Sequence, residues 1–216
     1  MPLPTPRHVV LATLMLVAAG CGPSRPKRIV PPALDPEAVT VAVLAKADAD
    51  GNGTVSKSEL AAVPALIAAV TEVDVDRDGG ISRDELRQWL DRVKESRIAI
   101  TSFAGEVRHQ RRPLANAQVK LVPESFMGAE TKSAEGTTDA DGRFTATIPN
   151  SVYPGVNCGL YRVEISGQGN DGKPLPGKYN SQTTLGTAVG GSLPENVPGP
   201  PSLRPAGGRA ARGRDP

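Results

Sequence analysis

Residues 48–59 read Asp-Ala-Asp-Gly-Asn-Gly-Thr-Val-Ser-Lys-Ser-Glu, and residues 74–85 read Asp-Val-Asp-Arg-Asp-Gly-Gly-Ile-Ser-Arg-Asp-Glu. Oxygen-bearing side chains stand at the first, third, fifth and ninth places of each stretch. These are Asp48, Asp50, Asn52 and Ser56 in one, and Asp74, Asp76, Asp78 and Ser82 in the other. Glu59 and Glu85 fill the twelfth place. In a tightly wound loop, alternate positions aim their oxygens inward, toward a hard cation such as calcium, which takes about six to eight of them. Gly53 and Gly79, at the sixth place, allow a sharp turn that a side chain would obstruct. Thr54 and Gly80, at the seventh, offer a main-chain carbonyl, which leaves their side chains free to vary. The closing glutamate can supply two oxygens from the start of the next helix. Val55 and Ile81, at the eighth place, are expected to pair as short strands between the two loops.

The pattern resembles the calcium loop of the EF-hand family, and it occurs twice, 26 residues apart. The resemblance implies a pair of helix–loop–helix units with two Ca2+ sites. Two plain acidic turns would not repeat a glycine, an aliphatic residue and a glutamate at matching offsets. The flanks agree. Asp35-Pro36-Glu37 reads as a capped helix start, followed by an apolar stripe of Val39, Val43 and Leu44. Residues 60–73 hold both the helix leaving the first loop and the one entering the second, divided at Pro64. Leu86, Trp89, Leu90 and Val93 stripe a last helix that Ser96 or Arg97 ends, and Trp89 is expected in the core. A dockerin-like docking module is the rival reading. Dockerin loops usually end in Asp rather than Glu, and they lack the entering helix expected over residues 35–47. Residues 35–97 carry 13 acids and 8 bases, a net of −5, which two calcium ions would nearly cancel. The second loop has four ligand carboxylates against three in the first, so it is expected to bind more tightly, with Arg77 and Arg83 offsetting part of the gain. A calmodulin-like sensor is disfavoured, because none of the three Met lies in this region.

Scarcity excludes several chemistries. The chain of 216 residues has two His (His8, His109), two Cys (Cys21, Cys158), one Trp and six Phe and Tyr. That is too few for a His-rich zinc site or a multi-disulfide scaffold. No nucleophile elbow, phosphate loop or dinucleotide fingerprint occurs. A glycosidase-type site needs paired carboxylates, and nearly all clustered acids belong to the two loops.

Gly and Pro make up 44 residues, with 8 Pro in residues 1–36 and 6 in 194–216. This predicts loose ends around an ordered middle. Arg7 and His8 precede an uncharged apolar run, Val9 to Ala19, of eleven residues. The run is too short for a bilayer-spanning helix of about 20 residues, and it fits a signal peptide over 1–20. Ala18-Ala19-Gly20-Cys21 resembles the bacterial lipoprotein cleavage box, though Ala18 stands where Leu is commonest. The resemblance implies cleavage before Cys21 and its acylation, hence a membrane anchor in the cell envelope, periplasmic or at the surface. An ordinary signal peptide is the alternative. Residues 21–34 read as anchor and Pro-rich tether, where Arg25, Lys27 and Arg28 serve either anionic head groups or simple solubility. With Cys21 acylated, Cys158 would have no disulfide partner and is expected buried.

From Ile98 the texture changes to short alternating runs separated by Gly, Pro, Asn and Asp. Strands are expected over 100–107, 118–122, 136–138, 143–148, 160–166 and 183–189, with a tight turn at Asp139-Ala140-Asp141-Gly142. Phe103-x-Gly105-x-Val107, Pro113-Leu114-Ala115-Asn116-Ala117-x-Val119 and Val122-Pro123 resemble the start of a carboxypeptidase regulatory-like domain. Gly136-Thr137-Thr138-Asp139-x-x-Gly142-x-Phe144, Gly159-x-Tyr161-x-Val163 and Lys178-Tyr179-Asn180 continue the likeness, which is nearest to the version in planctomycete lipoproteins. It implies a prealbumin-like sandwich of about seven strands over 98–189, an accessory domain without catalytic residues. The family's first hairpin usually carries Gly, where this chain has His109-Gln110-Arg111-Arg112. At the other end, either 183–189 closes the sheet or an edge strand is missing. Residues 190–216, with four Arg and no aromatics, read as a disordered tail rather than a nucleic-acid binder.

The sequence therefore predicts a multi-domain chain, an all-α EF-hand pair over 35–97 followed by an all-β sandwich. The function expected is that of a non-enzymatic, calcium-binding envelope lipoprotein with a structural or protein-interaction sandwich. A carbohydrate-binding or adhesive role is the alternative, with Tyr153 and Phe126 as its only loop aromatics. The protein or glycan partner is not specified by the sequence.

Overall fold

Asp35 starts the helical part. Its Oδ1 accepts from the amides of Glu37 and Ala38 at 3.1 and 3.2 Å, which caps helix α1 (Pro36–Ala47). The structure, a computed structural model, describes residues 29–190. The expected signal segment, Cys21, the first part of the tether and the tail from 191 on lie outside the described residues. Val39, Val43 and Ala47 recur every fourth residue along α1 and are all buried. Strand β1 (Thr54–Val55) lies within the first loop, and a single 3₁₀ turn over Glu59–Ala62 closes it. Pro64 then opens α2 (Pro64–Val73), at the one helical position where its missing N–H costs little. The second loop contains β2 (Ile81–Ser82) and runs into α3 (Arg83–Ser96). A reciprocal Ser82–Glu85 capping box starts α3, and Arg97, in the left-handed conformation at φ 53°, ends it. Leu86, Trp89 and Leu90 are fully buried on its inner face.

The remaining strands are β3 (Phe103–Glu106), β4 (Arg108–His109), β5 (Arg112–Pro113), β6 (Gln118–Pro123), β7 (Ala134–Thr137), β8 (Arg143–Ala146), β9 (Gly159–Ser166) and β10 (Gly186–Val189). Four of them form an antiparallel sheet in the order β10-β9-β6-β7. β3 pairs with β8, and β4 with β5. The expected first strand is shorter than 100–107, because Thr101 makes only an isolated bridge to Val156. The expected last strand contracts to Gly186–Val189 and lies on the sheet edge beside β9. Thr183 leaves the ladder because its hydroxyl donates to Val163 O at 2.6 Å. The Asp139 turn forms through Asp139 Oδ1, which accepts from the amides of Asp141 and Arg143. The β4–β5 turn places Gln110 and Arg111 at φ 53° and 67°. This mirror-image turn is usually made by Asn-Gly, and here it forms without glycine.

Two apolar layers result. Val119, Leu121, Phe144, Ala146, Val163 and Ile165 share one core with Tyr161, whose hydroxyl donates to Asn157 O at 2.8 Å. Burial pushes this phenol's pKa well up. The second core is that of the helices, and it does not stop where the helices stop. Met127, Cys158 and Leu160 belong to it, with Phe126 and Ala188 packed alongside. Strand β9 is thus buried on both faces at its start, with Leu160 in the helical core and Tyr161, Val163 and Ile165 in the other, while Arg162 and Glu164 are only partly buried. Helix α2 lies on β9 and β10. The crossing is so close that a Cβ at Gly186 would sit 2.2 Å from the Ala65 amide nitrogen. At the end of α1, Lys46 Nζ reaches Glu124 Oε2 at 3.0 Å, and Glu124 is only 2% exposed. The change of texture at Ile98 marks the end of the helices, while their hydrophobic layer is completed by residues 126–189.

Candidate metal centre

The two loops lie back to back. Thr54 pairs with Ser82 and Val55 with Ile81, and Val55 and Ile81 are fully buried. The seventh places, read as free to vary, constrain one another. A Cβ at Gly80 would come within 2.7 Å of Thr54 Cγ2, so a side chain there would require Thr54 to shift. Gly53 and Gly79 adopt φ 83° and 91°, the left-handed turn their places require.

In the first loop, ligand oxygens of Asp48, Asp50 and Glu59 lie within 4.8 Å of one another. Asp48 Oδ1 accepts from the amides of Gly51 and Asn52, and Oδ2 from that of Gly53. Asn52 donates its side-chain amide to Asp50 Oδ2 at 2.9 Å and accepts from Thr54 N through Oδ1. In the second loop, the carboxylates of Asp74, Asp76 and Asp78 converge in the same way. Asp76 accepts from Asp78 N, and Asp78 from Gly80 N. Asp74 differs from its counterpart Asp48. Its Oδ2 accepts from Gly79 N at 3.1 Å, and its Oδ1 is buried with no hydrogen-bond partner among the described residues.

The closing glutamates act as clasps. Glu59 Oε1 accepts from Ala49 N at 2.7 Å, while Oε2 accepts from the amide and hydroxyl of Ser56 at 2.9 and 2.6 Å. Glu85 repeats the arrangement with Val75 N, Ser82 N and the Ser82 hydroxyl. The Ser56 hydroxyl, then the amides of Ser56 and Ala49, hold the Glu59 carboxyl down to about 2. At Glu85, burial works upward, but the Ser82 hydroxyl and the amides of Ser82, Val75 and Asp76 outweigh it, so its pKa lies below the usual carboxylate value. Each clasp joins the start of its loop to the ninth residue, where Ser56 and Ser82 stand.

These residues fit a calcium ion. Every candidate side-chain ligand is a hard oxygen, with no His or Cys among them. Three converging carboxylates per loop repel unless a cation lies between them. Asp74 Oδ1, buried without a donor, is the atom such an ion would satisfy. Sequence reasoning missed this difference between Asp48 and Asp74, since both open their loops with the same residue type. The family model for the EF hand matches residues 40–64 and 71–90. No curated protein and no solved structure matches the chain. The family match supports a calcium-binding protein with an EF-hand pair, and the two acidic clusters are consistent with two sites.

Proposed function

We propose that this chain is a non-enzymatic, envelope-anchored lipoprotein that binds two calcium ions and uses its β part for structure or for contact with a protein partner. The observation that carries the calcium reading is the pairing of two acidic clusters across the Val55–Ile81 bridge, each clasped by its own glutamate. The anchor rests on the Cys21 box and the basic tether. A prealbumin-like sandwich of the carboxypeptidase regulatory-like kind is supported by a four-stranded sheet that shares one core with the β3–β8 pair. The absence of an enzymatic role is inferred from the commitment of the clustered acids to the loops. The glycan-binding alternative is weakened by Phe126, which packs on the helical core with Lys46 Nζ 5.6 Å above its ring. Titration calorimetry tests the calcium reading. Two calcium ions are expected per chain, with one lost in each of Glu59→Gln and Glu85→Gln, and a heat-silent titration would refute it. Palmitate labelling of the expressed chain, lost in Cys21→Ser, tests the anchor.

A further inference from the structure

The described chain begins at one end of the sheet, and its path there is fixed. Ala33 N donates to Glu130 Oε2 at 2.7 Å, which ties residues 30–33 to the loop between β6 and β7. An open cavity of about 430 Å³ forms at this place, lined by Val30, Pro31, Pro32, Ile100, Ile148 and Ser151 among others. Eight large apolar side chains are exposed among the described residues. Four of them, Ile29, Val30, Val152 and Tyr153, belong to the two segments that form this end. Val30 is 78% and Val152 88% exposed, and with Ile29 and Tyr153 they gather apolar surface at one end. Lys132 adds an exposed cation at the cavity wall, beside the Glu130 carboxylate that accepts from Ala33 N. The strand registers put the basic β4–β5 hairpin at the opposite end. β3 runs from the Thr101–Val156 bridge to Glu106, which pairs with Arg143.

We infer that the end formed by Ile29–Pro32 and the Ser151–Tyr153 turn rests on an anionic lipid surface, with Val30, Val152 and Tyr153 in the head-group layer. The inference rests on the reading of Cys21 as an acylated anchor. Cys21 is eight residues from Ile29, a reach of at most about 29 Å fully extended, so the anchor keeps this end within that distance of the bilayer. Arg25, Lys27 and Arg28 lie within that stretch and attract acidic head groups. Tyr153 offers an apolar ring with a polar tip, the composition favoured at the membrane–water boundary. Ser151 Oγ donates to Tyr153 O and accepts from Tyr153 N, so the turn presents the two apolar side chains as a unit.

The test places an environment-sensitive fluorophore at Val152→Cys and, as control, at Gln110→Cys in the distal hairpin. The chain is held on vesicles of phosphatidylethanolamine and phosphatidylglycerol by its own acyl groups. In a parallel arm, a hexahistidine tag replaces Cys21 and the vesicles contain nickel-chelating lipid. The label at 152 is expected to shift blue and to be quenched by spin-labelled lipid in both arms, while the label at 110 stays in water. Tyr153→Asp should weaken the signal at 152, as should vesicles of phosphatidylcholine alone. If label 152 reads water as label 110 does in the nickel arm, the inference is wrong. Loss of palmitate labelling with the 152 signal kept in the nickel arm would instead remove the anchor reading and leave this surface assigned.

Discussion

Asp48 and Asp74 open their loops with the same residue, yet the loops use them differently. Asp48 directs both oxygens to amides of its own loop, so the first loop is internally satisfied. Asp74 leaves one buried oxygen without a donor. The fourth places differ too. Gly51 takes its left-handed conformation freely at φ 72°, whereas Arg77 holds φ 62° against the preference of a side chain. After the loops, the first runs into one 3₁₀ turn and the second into a helix of 14 residues. Both loops gather carboxylates for an ion, but the first also holds its own shape through Asp48, while the second leaves an oxygen of Asp74 to the ion. Two loops that look alike in sequence can divide rigidity and affinity between them.

Removing calcium is the largest perturbation of this comparison. At a calcium level about 100 times Kd, a bound ion adds about 2.7 kcal/mol, and a chelator should remove that from the helical layer. Thermal melting followed by Trp89, the single Trp and fully buried in α3, reads it. Cys158 gives a second readout, because it belongs to the same core. Burial pushes its thiol pKa up, so at pH 8 it stays protonated and should alkylate slowly until calcium is withdrawn. The sign follows for stability. The unfolded thiol ionises from about pH 8.5 and the folded one only at higher pH, so stability falls as pH climbs past that value, and less so in Cys158→Ala.

Smaller changes separate the loops. Glu85→Gln should abolish the tighter calorimetric step and Glu59→Gln the weaker one, each by at least about tenfold, or about 1.4 kcal/mol. A tighter step that survives Glu85→Gln would reverse the assignment. The opening aspartates should then respond with opposite signs in calcium-free buffer. Asp48→Asn weakens three amide contacts and is expected to cost about 1 kcal/mol, while Asp74→Asn relieves an unpaired buried oxygen and gains about as much. Chemical denaturation of both variants checks this, and equal signs would erase the distinction. The smallest effect is Arg77→Gly, expected to stabilise by about 0.5 to 1 kcal/mol in the same measurement.

The sequence made the loops legible because ligand chemistry is local. Spacing placed Asp48 to Glu59 and Asp74 to Glu85, the Val55–Ile81 pair, the cap at Asp35 and the break at Pro64. Burial of Trp89 and Cys158 followed from pattern and scarcity. The clasping of Glu59 onto Ser56 was less visible, because ligand and hydrogen-bond acceptor are the same residue type. Contacts that need the third dimension were not legible. Gly186 reads as an indifferent residue in a short strand, and only the approach of Ala65 gives it a reason. Thr54 and Gly80 are 26 residues apart, and nothing local couples them. Glu124 reads as a loop acid, and only Lys46, from α1, explains how it is buried.

The crossing at Gly186 also orders events in time. Helix α2 is complete at Val73, but the surface it rests on ends with Val189, more than a hundred residues later. A chain threaded outward from its N-terminus would present both acidic loops long before their floor exists. Ala65, buried to 0% in the finished molecule and crossing Gly186, would lack that cover until the last strand arrived. The two acidic loops are therefore among the first parts made and the last to close. A stop codon just before Gly186 should cripple them without touching a single ligand.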